Sequence, residues 1–189
     1  MMKYENLILA SKSPRRREFF TMLGLDYTVR SADIDETLRA DLTVRDAMRD
    51  LAGRKALACD PPDEKTLIVS ADTVVLAEDK ILGKPKNRED ALNMMRGYSN
   101  KAHEVMTAFA IRSRDKIYAG SVSTKVYFRE MTEEEIAFYV DTAKPYDKAG
   151  AYAIQGGAHG FVESFEGPYE NVIGFPVDEI RAMLGEFLH

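Results

Sequence analysis

The chain has 189 residues, a formal net charge of −5 and a single cysteine, Cys59. A chain of this length buries roughly 70% of its unfolded surface and can form a core without a disulfide or structural metal, and one cysteine favours a reducing compartment. The acidic balance argues against a general nucleic-acid binder, and no signal-peptide pattern or membrane-spanning apolar run is found. We therefore expect a soluble, cytoplasmic protein that binds neither nucleic acid nor membranes.

A basic segment follows the first predicted strand. The apolar residues 7–10 predict a buried strand, Ser13 suits a helix N-cap, and Pro14 suits the first helical position. Free N–H groups and the helix dipole at such a junction favour a bound anion, and arginine donors match phosphate oxygens. The alternative is a capped surface helix with solvated arginines. The polar residues of this junction are Ser11, Ser13, Arg15, Arg16 and Arg17.

Two charged residues follow in the next loop and helix. Glu36 lies in an acidic, loop-like stretch, residues 32–37, which is either a solvated turn or a source of a carboxylate for a hard cation. Thr43 is predicted to cap the following helix, and Lys55 falls in the middle of the apolar stripe of that helix. A lysine there must extend to solvent, find a partner or point into a cleft. We favour a cleft, where Lys55 binds an anion.

Asp72 is the strongest candidate for a catalytic residue. The apolar residues 67–71 predict a buried strand that ends at Asp72 and Thr73. A lone carboxylate in such a stretch is costly unless it is paired or bound to a metal. The alternative is a carboxylate that caps a turn by accepting from nearby N–H groups.

Lys84 and Gln155 are further candidates. Lys84 is held extended by the proline that follows it, beside Gly83, although a solvated loop lysine is the alternative. Gln155 lies in a glycine-rich segment, where its amide either reads a base edge or is buried and satisfied by the backbone. His103 has no histidine or cysteine nearby, so we do not expect it to bind a metal.

The remaining pattern predicts a mixed-sheet α/β protein. Strands and helices alternate early, and hairpins follow, one with its tip at Asp79 and one from strands at residues 103–113 and 117–128. Leu23 is expected on the apolar face of the first helix. Four basic residues for phosphates (Arg15, Arg16, Lys55 and Lys84) and two carboxylates for a cation (Glu36 and Asp72) together suit phosphoryl chemistry or tight nucleotide binding.

The chain resembles the Maf-like nucleotide pyrophosphatases. The resemblance rests on segments in family order, LASKSPRRRE at 9–18, ADTVV at 71–75, GKP at 83–85, DKAGAY at 147–152 with IQG at 154–156, and NVIGFP at 171–176. It implies one domain over residues 1–189, with an elongated Maf/Ham1-like (ITPase-like) fold of two lobes around a central cleft. It also implies hydrolysis of nucleoside triphosphates to the monophosphate and pyrophosphate with a divalent cation, Mg²⁺ or Mn²⁺, and a homodimer.

The resemblance also implies roles for single residues. Asp72 is the expected proton acceptor, and with Glu36 it is expected to hold the metal. The expected substrate-binding residues are Ser11, Ser13, Arg15, Arg16, Lys55 and Lys84. Gly53 and Arg54, just before Lys55, depart from the pattern of the family, as does the loop at residues 157–160.

The substrate branch is indicated by three positions. Arg15, Thr73 and Gln155 match the branch of the family that resembles dTTP and UTP pyrophosphatases. The alternatives are the 7-methyl-GTP branch, or a nucleotide-binding regulator of septum formation with little turnover. A carboxylate at Asp72 favours an enzyme, because a pure binding protein gains nothing from a negative charge that repels a polyphosphate.

Overall fold

A computed structural model describes residues 4–188 of the chain except 23, 25, 62 and 79. Leu23 and Asp79, predicted on a helix face and at a hairpin tip, lie outside the described residues. The strands are β1 (Asn6–Leu9), β2 (Tyr27–Val29), β3 (Thr66–Ala77), β4 (Lys80–Leu82), β5 (Ala102–Arg112), β6 (Ile117–Phe128) and β7 (Val162–Glu166). The helices are α1 (Pro14–Met22), α2 (Val44–Leu57), α3 (Arg88–Tyr98), α4 (Glu133–Ala143), α5 (Tyr169–Ile173) and α6 (Val177–Leu188).

The strands form a mixed sheet, which confirms the predicted α/β class. It has seven strands in the order β2-β1-β3-β5-β6-β7, with β4 paired to β3. Strand β1 is parallel to β2 and to β3, whereas β4 is antiparallel to β3 and β7 is antiparallel to β6. The chain divides into two compact units. The first contains Met1–Asp72, Thr107–Val122 and Gly174–His189, and the second contains Thr73–Met106 and Ser123–Ile173.

The first unit is built on the parallel strands β1, β2 and β3. Leu7 lies opposite both Tyr27 and Leu67, and β1 is therefore an inner strand with an apolar, buried sequence. The carbonyl of Ser13 accepts a hydrogen bond from Arg17 N at 3.2 Å, as expected of a residue just before a helix. The hydroxyl of Thr43 accepts from Asp46 N and caps α2 as predicted.

The prediction that a strand ends at Asp72 is wrong. Strand β3 continues without a break from Thr66 to Ala77, so Asp72 lies in its interior. The reason is pairing on both sides of the polar position, since residues 66–69 pair with β1 and residues 75–77 pair with β4. These neighbours hold the backbone extended past the carboxylate, an effect that sequence pattern alone does not contain.

The second unit has two well-capped helices. Asn87 accepts from Asp90 N at the start of α3, and Thr132 and Glu135 form a capping box at the start of α4. Tyr98 Oη donates to the Gly150 carbonyl at 2.8 Å, and Gly150 N donates to the Gly83 carbonyl at 2.9 Å. Gly150 has φ +70°, and a Cβ there would lie 2.7 Å from Tyr98 Oη. A side chain at position 150 would therefore clash with Tyr98, so these hydrogen bonds require glycine there.

His103 is buried in the core of the second unit. Its ring packs against Tyr98, Phe128 and Tyr152, and Nε2 lies 2.6 Å from Tyr152 Oη. This burial lowers its pKa to about 4. The unfolded chain, with an ordinary histidine pKa near 6.5, binds a proton that the folded chain excludes, so the folded state loses stability as the pH falls from about 6.5 to about 4.

We expect this effect to be measurable by urea denaturation at pH 7 and pH 4. The shift corresponds to a loss of about 3 kcal/mol in the free energy of unfolding. His103→Gln keeps an acceptor for Tyr152 and has no group that titrates in this range. The fall in stability should therefore be smaller in the variant by about that amount. Equal falls in the two proteins would contradict the assignment to His103.

Candidate active site

The centre of the candidate site is the ammonium of Lys55, which lies between two carboxylates. Lys55 Nζ is 2.8 Å from Glu36 Oε1 and also donates to Asp72 Oδ2. The side chains of Lys55 and Asp72 are 15% and 21% exposed, whereas that of Glu36 is 63% exposed. Lys55 is expected to bind an anion, and in the structure its partners are two carboxylates of the protein itself. Asp72 is the more buried of the two.

Three different elements bring these residues together. Lys55 lies near the end of α2, Asp72 lies inside β3, and Glu36 lies on the irregular chain between β2 and α2. Lys55 lies on the same side of α2 as the buried residues Leu51 and Ala52. From there its side chain reaches the carboxylate of Asp72 on β3. The sequence-based placement of Lys55 on the apolar side of the helix is confirmed.

A second group of residues surrounds Arg16 at the start of α1. Its Nε donates to the Gly174 carbonyl at 3.0 Å, and Nη1 donates to Ser11 Oγ at 3.3 Å. Ser11 is 7% exposed and its hydroxyl oxygen also accepts from Ser13 N at 3.3 Å. Ser11 thus orients the guanidinium of Arg16 and the first turn of the helix at the same time.

The two groups share one electrostatic environment. Burial lowers the pKa of Arg16, and the negative charges of Asp72 and Glu36 counter part of this effect. The positive charge of Arg15 acts on Arg16 in the same direction as burial. The seven predicted residues of the first unit therefore belong to one cluster: Ser11, Ser13, Arg15, Arg16, Glu36, Lys55 and Asp72.

The three other predicted residues belong to the second unit. Thr73 is partly buried in β3, and Lys84 is exposed on the turn after β4, next to the buried Pro85. Gln155 is exposed in the short 3-10 turn Ile154–Gly156, which excludes the alternative of a buried amide. The hydrogen bond from Gly150 N to the Gly83 carbonyl links the turn with Lys84 to the segment that leads to Gln155.

Arg54 is a residue of the site that the sequence analysis did not assign. Its guanidinium donates to the carbonyls of Asp35 and Thr37, the neighbours of Glu36. The sequence shows only that Arg54, just before Lys55, departs from the pattern of the family. It does not show which groups the Arg54 side chain contacts.

The carboxylates fit a divalent cation that takes its other ligands from substrate and water. Among residues 4–188, apart from the four undescribed positions, no group of three or more His, Cys, Asp or Glu could hold a metal ion. Mg²⁺ is commonly bound by one or two carboxylates together with waters and substrate phosphates. Glu36 and Asp72 already bind one positive group, the Lys55 ammonium. Their carboxylates are therefore close enough together that both could bind such an ion.

The chain is similar over 95–100% of its length to several curated proteins named dTTP/UTP pyrophosphatase. The protein from Geotalea uraniireducens (strain Rf4) is 42% identical over 182 residues, which cover 95% of this chain and 94% of that protein. The protein from Geobacter sp. (strain M21) is 44% identical, with the same coverage of 95% and 94%. The protein from Vibrio parahaemolyticus serotype O3:K6 is 40% identical and covers 100% of both chains.

Among solved structures, the Staphylococcus aureus Ham1 protein matches with 14% identity and a TM-score of 0.47, covering 96% of this chain and 98% of that chain. In the part of the chain that the structure describes, no helix is both long enough and apolar enough to span a bilayer.

A family model described as Maf-like protein matches residues 6–187. The chain therefore belongs to the family of Maf-like proteins.

Proposed function

We propose that this protein is a nucleoside triphosphate pyrophosphatase that hydrolyses dTTP and UTP to the nucleoside monophosphate and pyrophosphate. The observation that carries the proposal is the enclosed Asp72–Lys55 pair, with Glu36 beside it and Arg16 in the same field of charge. Relatives that are 40–44% identical and bear the name dTTP/UTP pyrophosphatase support the choice of reaction and substrate.

Asp72 is the proton acceptor in this proposal. Its carboxylate orients a water molecule and takes a proton from it as the water oxygen bonds to the α-phosphorus. The bond between the α-phosphorus and the bridging oxygen breaks, and pyrophosphate leaves with the electron pair. Lys55 donates to the Asp72 carboxylate and restricts its orientation toward the attacking water.

The basic cluster binds the phosphates. Arg15 and Arg16 lie in the first turn of α1, where free N–H groups and the helix dipole also favour an anion. Ser11 and Ser13 complete this turn and fix the guanidinium of Arg16. Each charge-assisted hydrogen bond to a phosphate oxygen contributes about 1.5–3 kcal/mol. We expect Lys55 and Lys84 to bind phosphate as well.

A divalent cation, Mg²⁺ or Mn²⁺, completes the proposal. Glu36 and Asp72 would hold it, and when bound it supplies polarisation of a phosphoryl oxygen and a lower pKa of a coordinated water.

Base selection is assigned to Arg15, Thr73 and Gln155, the positions that match the dTTP/UTP branch. The exposed amide of Gln155 both donates and accepts, as a pyrimidine edge requires. We also propose a cytoplasmic location, favoured by the single buried cysteine, Cys59. A homodimer and the absence of nucleic-acid binding stay predictions.

The proposal is tested by pyrophosphate release from a panel of nucleotides with Mg²⁺ or Mn²⁺. The panel contains dTTP, UTP, CTP, GTP, 7-methyl-GTP and common modified forms. We expect kcat/KM for dTTP and UTP to exceed that for 7-methyl-GTP by about tenfold or more, because unpaired polar groups in a site penalise the wrong base. A preference for 7-methyl-GTP would contradict the assigned base selection. Nucleotide binding without any turnover would contradict the proposed enzyme and support a regulator.

A further inference from the structure

The loop that contains Glu36 has little support from its own backbone. Residues 30–39 have no helix or strand. Among the described residues, no hydrogen bond between backbone groups involves residues 31–38. Two local contacts are present, the exposed ion pair of Lys12 with Asp33 and a hydrogen bond from Thr37 N to Asp35 Oδ1 at 2.9 Å. Neither of them connects the loop to α2 or β3.

Arg54 connects the backbone of the loop to α2, in addition to the ion pair between Lys55 Nζ and the Glu36 side chain. Its Nη2 donates to the Thr37 carbonyl at 2.9 Å, and its Nη1 donates to the Asp35 carbonyl. Its Nε donates at 2.8 Å to Asp50 Oδ2, one helical turn earlier in α2. The side chains of Arg54 and Asp50 are 32% and 28% exposed, so both are restricted by their surroundings. The guanidinium thus joins a rigid helix to the backbone carbonyls of the residues before and after Glu36.

We propose that Arg54 is a positioning residue that holds the loop so that the Glu36 carboxylate stays beside Lys55. Arg54 binds the backbone on either side of Glu36, and the next residue, Lys55, binds the Glu36 side chain. A carboxylate that is 63% exposed on an irregular loop otherwise has many conformations available. The consequence for catalysis rests on the function proposed above, whereas the restraint on the loop does not depend on it.

The planar fork of the guanidinium is essential to this role. Two separate N–H groups point at two carbonyls while a third holds Asp50, a geometry that a lysine ammonium cannot reproduce. Arg54→Lys therefore keeps the charge and the ion pair with Asp50 but loses the double contact with the loop.

Limited proteolysis with trypsin tests the restraint on the loop. Trypsin cuts after Arg30 and Arg39, which lie at the ends of the irregular loop, and Arg54→Lys leaves the number of trypsin sites unchanged. Arg49→Lys is the matched control, since Arg49 lies in the same helix but donates to Ser121 Oγ at 3.1 Å. We expect loop cleavage to be about tenfold faster in Arg54→Lys and unchanged in Arg49→Lys. Equal cleavage of the wild type and Arg54→Lys would overturn the proposal.

A double-mutant cycle tests whether Arg54 acts through Glu36. In the wild type we expect Arg54→Lys to lower kcat for dTTP about tenfold, with a change in KM below about twofold. In the Glu36→Gln background the same change should have almost no further effect on the single-turnover rate. The same loss in both backgrounds would overturn a role through Glu36. Asp50→Asn, which removes the support of Nε, should act in the same direction with a smaller effect.

The two proposals fail in different ways. If the wild type hydrolyses no nucleoside triphosphate, the proposed function fails, and the trypsin comparison still decides whether Arg54 restrains the loop. If the wild type is active but Arg54→Lys has wild-type kcat and wild-type cleavage, the positioning role fails and the proposed function stands.

Discussion

Asp72→Asn should lower kcat for dTTP hydrolysis by about 10³-fold, which lies within the range for loss of a general base. The amide has nearly the same shape as the carboxylate but cannot accept the proton of the attacking water. KM should change less than kcat, because the arginines of α1 also bind the phosphates, whereas Asp72 alone accepts the proton. The measurement is steady-state pyrophosphate release, with a thermal unfolding curve to show that the variant is folded.

The control for this change is Asp141→Asn, another aspartate-to-asparagine change in an ion pair. Asp141 is 51% exposed and pairs with Arg88 at 2.6 Å, and neither residue is assigned to the candidate site. Exposed pairs contribute about 0–1 kcal/mol, so we expect near-normal stability and activity. If Asp72→Asn retains activity within about tenfold of the wild type, Asp72 is not the proton acceptor.

Lys55→Met should have the second-largest effect. Methionine keeps the apolar part of the side chain but removes the ammonium that contacts both Glu36 and Asp72. We expect kcat to fall by about 10²-fold, since the catalytic carboxylate loses the group that orients it. We also expect the free energy of unfolding to fall by about 1–3 kcal/mol, because two carboxylates are left without their partner.

Lys65→Met provides the comparison for this second change. Lys65 pairs with Glu5 at 2.6 Å in the same unit, but its side chain is 54% exposed. Removing it should leave both the free energy of unfolding and kcat almost unchanged, because exposed ion pairs contribute little. Urea denaturation and kcat for dTTP measure both effects. Equal losses in Lys55→Met and Lys65→Met would mean that Lys55 is an ordinary surface lysine.

Features determined by neighbouring residues could be predicted from the sequence. The predicted cap at Thr43 is confirmed, because a cap depends on hydrogen bonds within three residues. The side of α2 that contains Lys55 could also be predicted, since helical periodicity alone decides which residues share a face. The strand before Asp72 could also be predicted, because residues 67–71 form a continuous apolar run.

Features that depend on distant segments could not be predicted. The extension of β3 past Asp72 depends on pairing with β4, and the order of the sheet depends on every strand together. The contact of Arg54 with Asp35 and Thr37 spans 19 and 17 residues and leaves no periodic signal. The partners of Lys55 were likewise open, because the sequence does not show which carboxylates meet the end of α2.

The proposed reaction requires that water attacks the α-phosphorus at this site. The most direct test is hydrolysis of dTTP in water enriched in oxygen-18, followed by mass spectrometry of the products. We predict one labelled oxygen in thymidine monophosphate and none in pyrophosphate, with formation of both products lost in Asp72→Asn. Label in pyrophosphate, or release of orthophosphate in its place, would show attack at another phosphorus and contradict the proposed chemistry.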